Sequence, residues 1–279
     1  MKTLLSIATI IATLAAGNTL ASTKPPIVLV HGAWETASVW DSVEAKLKHD
    51  GYQVTVVTLP GRPGSPADPG TLSLDTYRDT VLHSLLGESR PVVLVGHSFG
   101  GFTISAVANA APEKVRTLVY VAAYLPTNGQ SLLDLGNSDK DSKIGPYLDV
   151  MKDKGIISIR HSARADLFCN DCSVDVRAAL PDQIVDEPLP PLAAPISLVS
   201  ERFTGVDKVY IRTAKDQVVS PYLQEAMLKA TPVRLTLTEN TGHAAFLTDP
   251  VGLARNIERA AQCKTATLNR FKQLEQPCD

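Results

Sequence analysis

The feature that most constrains this chain is the junction at residues 92–101. An apolar run, Val92-Val93-Leu94-Val95, passes directly into Gly96-His97-Ser98-Phe99-Gly100-Gly101, and helix-forming sequence follows to Ala110. A serine on so tight a strand-to-helix turn has strained backbone angles. Its neighbours two residues away must be small for the turn to close, which Gly96 and Gly100 satisfy. The turn would present the Ser98 hydroxyl at a helix start, where the first N–H groups lack intrahelical partners and the helix dipole is positive. A developing oxyanion beside Ser98 would be stabilised there. A lone G-x-S-x-G can be no more than a glycine-rich helix start, but here both the strand before it and the helix after it are present.

The rest of the chain supplies a scaffold for such a turn. After Pro25-Pro26, residues 27–30 form a continuous apolar run suited to a strand buried on both faces. A helix is expected over 38–49, a strand over 52–59, a loop over 61–66 and a helix over 74–86 capped by Ser73. Strands at 91–96 and 116–122 flank a helix at 99–110. Strands at 208–212 and 233–237 and helices at 221–230 and 251–261 complete the pattern. Alternating strand and helix predicts the α/β class, with a mostly parallel central sheet flanked by helices. The alternation breaks between Pro126 and Phe203, a span too long for a simple loop, so residues 127–204 are expected to form an inserted helical lid.

A serine hydroxyl needs a base, and the base needs an orienting carboxylate, in the chain order Ser, Asp, His for this type of turn. His243 fits the base: it stands in a glycine-containing loop after the strand at 233–237 and before the last helix. Asp216 fits the acid, because it follows the strand at 208–212 at the sheet edge where catalytic groups gather. Asp207 falls at the opposite end of that strand, and Asp249 before Pro250 reads as a helix cap. His49, His83 and His161 read as solvated side chains, and His31 and His97 as structural. Backbone N–H groups of Ala33, in the His31-Gly32-Ala33-Trp34 turn, and of Phe99 are expected to form the oxyanion hole. Gly32, Trp34 and Phe102 are candidates for the substrate pocket, the two aromatics being equally compatible with plain core.

A formal net charge of -2 with Lys and Arg scattered singly gives no electrostatic footprint for nucleic acid. A small, weakly charged partner is expected. Residues 1–21 carry a short positive start, an apolar stretch and a small-residue cleavage site, and are expected to be a signal peptide for export, leaving one domain at 22–279. The stretch is too short to span a bilayer, and no later segment looks like a transmembrane helix. Export permits disulfides, with Cys169 to Cys172 and Cys263 to Cys278 the favoured pairs of three possible pairings.

The chain resembles the α/β-hydrolase superfamily, in the branch of plant methylesterases, hydroxynitrile lyases and bacterial carboxylesterases including pyrethroid hydrolases. The likeness lies in His31-Gly-Ala-Trp34, residues 96–101, residues 119–126, residues 210–216 and Gly242-His243. It implies a Ser98, Asp216, His243 triad, no metal or organic cofactor, and a lid over an apolar pocket that takes a small-molecule ester. The lyases of this branch carry Thr where Gly32 stands and Lys where Ala244 stands, so the resemblance favours ester hydrolysis over cyanohydrin cleavage. Leu132, Leu133, Leu135, Leu148, Leu167 and Phe168 give the lid an apolar side, suited to an uncharged substrate or to packing on the core.

Overall fold

The structure, a computed structural model, describes residues 24–262; the expected signal segment at 1–21 and the expected Cys263 to Cys278 pair lie outside the described residues. Six parallel strands form the central sheet: β1 (Ile27–Val30), β2 (Val54–Val57), β3 (Val92–His97), β4 (Val115–Val121), then β8 (Lys208–Thr213) and β9 (Leu235–Glu239), in spatial order β2-β1-β3-β4-β8-β9. All residues of β1 and β3 are buried, so both faces of the sheet are covered at its centre. The cover comes from helices α1 (Asp41–His49) and α11 (Pro250–Gln262), which pack on each other, and from the pair α2 (Leu74–Ser84) and α3 (Gly100–Ala110). In α11 the buried residues Leu253, Ala254, Ile257, Ala260 and Ala261 recur at helical spacing and make one apolar stripe. Ser73 caps α2 by accepting the Thr76 N–H at 3.1 Å, as its position before Leu74 predicts. The α/β-hydrolase fold expected from the sequence is the fold observed.

Two local differences have physical causes. The last strand begins at Leu235, two residues later than expected, because its register is set by β8: Leu235 pairs with Val209 and Glu239 with Thr213. Arg234 turns away to clamp the Asp207 carboxylate with Nε at 2.8 Å and Nη2 at 2.9 Å. The span between β4 and β8 is also not purely helical. It contains short helices α4 (Leu132–Ser138), α5 (Arg164–Phe168), α6 (Val174–Ala179), α7 (Leu189–Ala193) and α8 (Ser200–Thr204), and an antiparallel sheet of β5 (Leu148–Met151), β6 (Ile156–Ile159) and β7 (Glu187–Pro188). The β5-β6 hairpin closes through Gly155 at φ +64°, a left-handed conformation that glycine adopts without a Cβ penalty, and β-branched Ile156, Ile157 and Ile159 favour the strand that follows.

The apolar residues of this insertion, among them Leu132, Leu135, Leu167 and Phe168, are buried in one hydrophobic cluster with the sheet core. Cys169 and Cys172 face each other at the end of α5, with Cα atoms 5.1 Å apart. Between α9 (Pro221–Ala230) and α11, β9 leads into the loop that carries His243 and then into α10 (Ala245–Thr248). Among the described residues no helix is long and apolar enough to cross a membrane.

Candidate active site

Ser98 follows the last residue of β3 with φ 51°, one of three described non-glycine residues with positive φ. Its N–H donates to the Val121 carbonyl at 3.2 Å, and its own carbonyl accepts from Gly101 and Tyr124 N–H groups, each at 3.1 Å. The surrounding glycines are required by space. A Cβ on Gly96 would lie 2.7 Å from the Gly100 backbone, and one on Gly100 would lie 2.9 Å from the Val30 and His31 carbonyl oxygens. These contacts lock the strained turn at the sheet edge, with Ser98 itself only 3% exposed.

Asp216 and His243 come from the loops after β8 and β9 and meet at the same edge. His243 Nδ1 lies 2.9 Å from Asp216 Oδ2, and Thr213 Oγ1 donates to the same oxygen at 2.8 Å. Asp216 Oδ1 accepts the Val218 and Val219 N–H groups at 2.8 and 2.9 Å. Four donors therefore converge on this carboxylate, and a carboxylate acceptor assigns the imidazole proton to Nδ1. Nε2 is left with its lone pair, and it is buried with no hydrogen-bond partner among the described residues.

The turn after β1 is held from both ends. Gly32 N–H donates to Glu35 Oε2 at 2.7 Å and Trp34 N–H to Glu187 Oε2 at 2.8 Å. The Ala33 N–H between them, like the Phe99 N–H at the start of α3, has no acceptor among the described residues. Gly32 presses on the serine: a Cβ there would stand 2.8 Å from Ser98 Cβ. His31 donates from Nδ1 to the Gly32 carbonyl at 2.9 Å and accepts the Leu59 N–H on Nε2 at 3.2 Å, a pattern that only the neutral ring completes. Burial, followed by the Arg62 charge, lowers its pKa to about 4.

Sequence reasoning passed over two carboxylates here. Glu35 is buried, and its Oε2 lies 3.0 Å from His97 Nδ1, while His97 Nε2 lies 3.0 Å from the His243 carbonyl. Both His97 nitrogens thus face acceptors, which calls for the imidazolium. Burial, the largest influence, opposes that charge, but the Glu35 charge and hydrogen bond, the His243 carbonyl and the Asp216 charge together raise the His97 pKa; the Glu35 pKa is lowered against its own burial penalty, chiefly by His97. Glu35, His97 and His243 bring ligand-type atoms within 4.8 Å of one another. With both His97 nitrogens committed, the cluster is a hydrogen-bond network, and it ties the Gly32 turn to the backbone of His243. Glu187, from the insertion, accepts from Trp34 N–H, from the buried Arg62 guanidinium and from Tyr77 OH at 3.3 Å. The signal for both lies in charge: Glu35 is an acidic residue among apolar and small ones, and Glu187 follows Asp186 at the start of a proline-rich run.

Trp34 donates from Nε1 to the Ile157 carbonyl at 2.9 Å, joining the turn to β6, and Phe102 is buried between Phe99 and Tyr124. Asp249 accepts the Gly252 N–H at 2.9 Å and caps α11, and Asp207 lies at the far end of β8.

A model described as the alpha/beta hydrolase family matches residues 27–256. The chain belongs to that family. "Putative methylesterase 11, chloroplastic" of Arabidopsis thaliana is 30% identical over 253 residues, covering 86% of this chain and 64% of that protein. "Methylesterase 18" of the same plant is 27% identical over 253 residues, covering 84% and 96%. The chain spans 56% to 64% of the length of the chloroplastic relatives numbered 13 and 11. Among solved structures, a pyrethroid hydrolase from Sphingobium faniae JZ-2 has a TM-score of 0.76 at 23% identity, covering 85% of this chain and 97% of its own. That likeness carries the fold.

Proposed function

We propose that this family member is a serine carboxylesterase acting through an acyl-enzyme on small to medium, largely apolar esters. The observation that carries the reading is the fixed Asp216 and His243 pair, which leaves Nε2 buried and unpartnered. The His243 carbonyl is tied to the residue preceding Ser98. In this mechanism Nε2 accepts the Ser98 proton as Oγ attacks the ester carbonyl, while Asp216 holds the ring in its working tautomer and stabilises the imidazolium. The Ala33 and Phe99 N–H groups receive the developing oxyanion. The imidazolium gives its proton to the departing alkoxide, and water activated by the same nitrogen releases the acid. Relatives named as methylesterases support the ester class.

Cyanohydrin cleavage is the second reading, and local packing weighs against it. The Thr that the lyases carry at position 32 would put its Cβ against Ser98, and position 244, where they carry Lys, is a buried alanine bonded to the insertion through its N–H.

Export is part of the same proposal. The composition of residues 1–21 and the Cys169–Cys172 link both suit an oxidising compartment, and the N-terminal sequence of the purified mature protein tests it. For the chemistry, the test is hydrolysis of p-nitrophenyl acetate, butyrate and octanoate. Ser98→Ala should lower kcat by roughly 10⁴-fold or more, because the triad acts as a unit. An unchanged rate in Ser98→Ala would remove Ser98 from the mechanism.

A further inference from the structure

The C-x-x-C of the insertion has no part in the mechanism above, yet its surroundings converge on His243. The segment runs from Phe168, the last residue of α5, through Cys169-Asn170-Asp171 to Cys172. It engages the loop of His243 on both sides of the imidazole. Asp171 Oδ2 accepts the Gly242 N–H at 2.9 Å, and the Phe168 carbonyl accepts the Ala244 N–H at 2.9 Å. Asp171 Oδ1 accepts from Thr248 Oγ1 at 3.0 Å, one turn further along. The Phe168 ring meets the His243 ring edge-on, with centroids 5.2 Å apart.

The same segment also reaches the loop of Asp216. Asn170 Nδ2 donates to the Lys215 carbonyl at 3.1 Å, and Lys215 N–H donates to the Thr241 carbonyl at 2.9 Å. Gly242 leaves no room for a side chain, since a Cβ would lie 2.9 Å from Asp171 Oδ1 and closer still to Asn170. These contacts bind the residues on either side of His243, and the one before Asp216, to a single short stretch of the insertion.

We propose that Asp171 is a positioning residue for His243, and that the Cys169–Cys172 link keeps the Phe168 to Cys172 stretch in the shape that lets it act. The proposal rests on the assignment of His243 as base. A short carboxylate suits the task because its two oxygens accept a backbone N–H and a hydroxyl at once, fixing both ends of the loop. Closing so short a loop with a disulfide constrains the unfolded chain little, so the link acts mainly on local geometry. Its loss should lower turnover far more than it lowers the melting temperature.

The test compares Asp171→Ala, Asp171→Asn and the Cys169→Ser/Cys172→Ser double variant with the wild-type protein. Asp171→Ala should lower kcat on p-nitrophenyl butyrate by about 100-fold with KM within about twofold, the scale of a displacement near 1 Å at a reacting group. Asp171→Asn, which keeps one acceptor oxygen, should lose about tenfold, and the double variant should fall between them. The downfield proton signal of the His243 Nδ1–H facing Asp216 should be sharp in wild type and in Ser98→Ala, and broadened by exchange in Asp171→Ala. If Asp171→Ala does not fold, Asp171→Asn and the dithiothreitol-treated wild type carry the comparison. Retention of wild-type kcat within about twofold, together with an unbroadened signal, overturns the proposal. A wild-type protein inactive on esters would count against the esterase reading alone, because the proton signal reports the positioning of His243 without any substrate.

Discussion

In β3 and the first turn of α3 the backbone is fixed by contact. Gly96, Gly100 and Gly101 each stand where a Cβ would strike neighbouring main chain, and every residue of β3 is buried. The insertion between β4 and β8 packs its apolar side into the same hydrophobic cluster, but at its carboxylate anchors it meets the core through side chains. Its helices run five to seven residues, too short to hold themselves, and it is fastened to the core by carboxylates: Glu187 to the Trp34 turn, Asp171 to the His243 loop, and Asp139 to the start of α9 through Ser220 N–H at 2.8 Å. The sheet edge that carries Ser98 is therefore fixed by main-chain packing, while the cover above it adds to its apolar packing on the core a few buried carboxylate bonds, each open to a single substitution. Packing contacts are numerous and individually small; buried carboxylates are few and individually costly to lose.

The largest effect should follow from cutting one of those carboxylates. Glu187→Ala leaves Arg62, fully buried, without its partner and strips the acceptor from the Trp34 N–H and the Tyr77 hydroxyl. Removing one member of a buried pair typically costs about 3–5 kcal/mol. Replacing both members, as in Arg62→Met with Glu187→Leu, should cost clearly less, since no charge is then stranded. Urea unfolding measures both. A single variant no less stable than the double one would mean that packing, not charge, fastens the insertion.

This contrast also explains how much could be read from the sequence. The elbow, the sheet strands and the loops bearing Asp216 and His243 are local: Gly96 to Gly101 encodes its own turn, and apolar runs encode buried strands without reference to distant residues. Glu35 and Glu187 act across separations of 62 residues to His97 and 125 residues to Arg62, and an acidic residue read in the sequence does not say what it will meet. Short apolar pieces such as those of the insertion suit either a helical or a strand period. The strand pairing of the insertion is decided by Gly155 and by Pro188 and Glu187 arriving from elsewhere in the chain. The spacing of Cys169 and Cys172 favours a local pair among three possible pairings, but the place of these residues beside His243 depends on the tertiary fold.

A pH experiment sharpens the same comparison on the core side, where His31 is held neutral by burial and by the Arg62 charge. Its folded pKa of about 4 lies below the ordinary 6.5, so the folded state binds fewer protons than the unfolded chain between those values. Stability from this group is present above pH 6.5 and is lost as pH falls from 6.5 to 4, by roughly 3 kcal/mol in all. His97, whose pKa is raised, has the opposite sign: its contribution is full at low pH and fades as pH rises through its folded value. His31→Gln retains a donor and an acceptor but does not titrate. The difference between wild-type and variant unfolding free energies should therefore shrink by that amount from pH 6.5 to 4. A constant difference would show that His31 does not titrate on unfolding.

The smallest effects come from helix caps, and they compare the two regions directly. Ser73 caps the 11-residue α2 with a 3.1 Å bond to Thr76 N–H, whereas Ser173 caps the six-residue α6 of the insertion with a 3.5 Å bond to Val176 N–H. Ser73→Ala should cost about 1 kcal/mol, because α2 packs along the sheet and its first turn is part of the cooperative core. Ser173→Ala should cost about 0.5 kcal/mol or less, since its bond is long and α6 has no buried residue to transmit the loss. Urea midpoints at constant slope read both values. A larger loss at Ser173 than at Ser73 would mean that the insertion is stabilised by its own helices, and the division between a packed core and a carboxylate-fastened cover would fail.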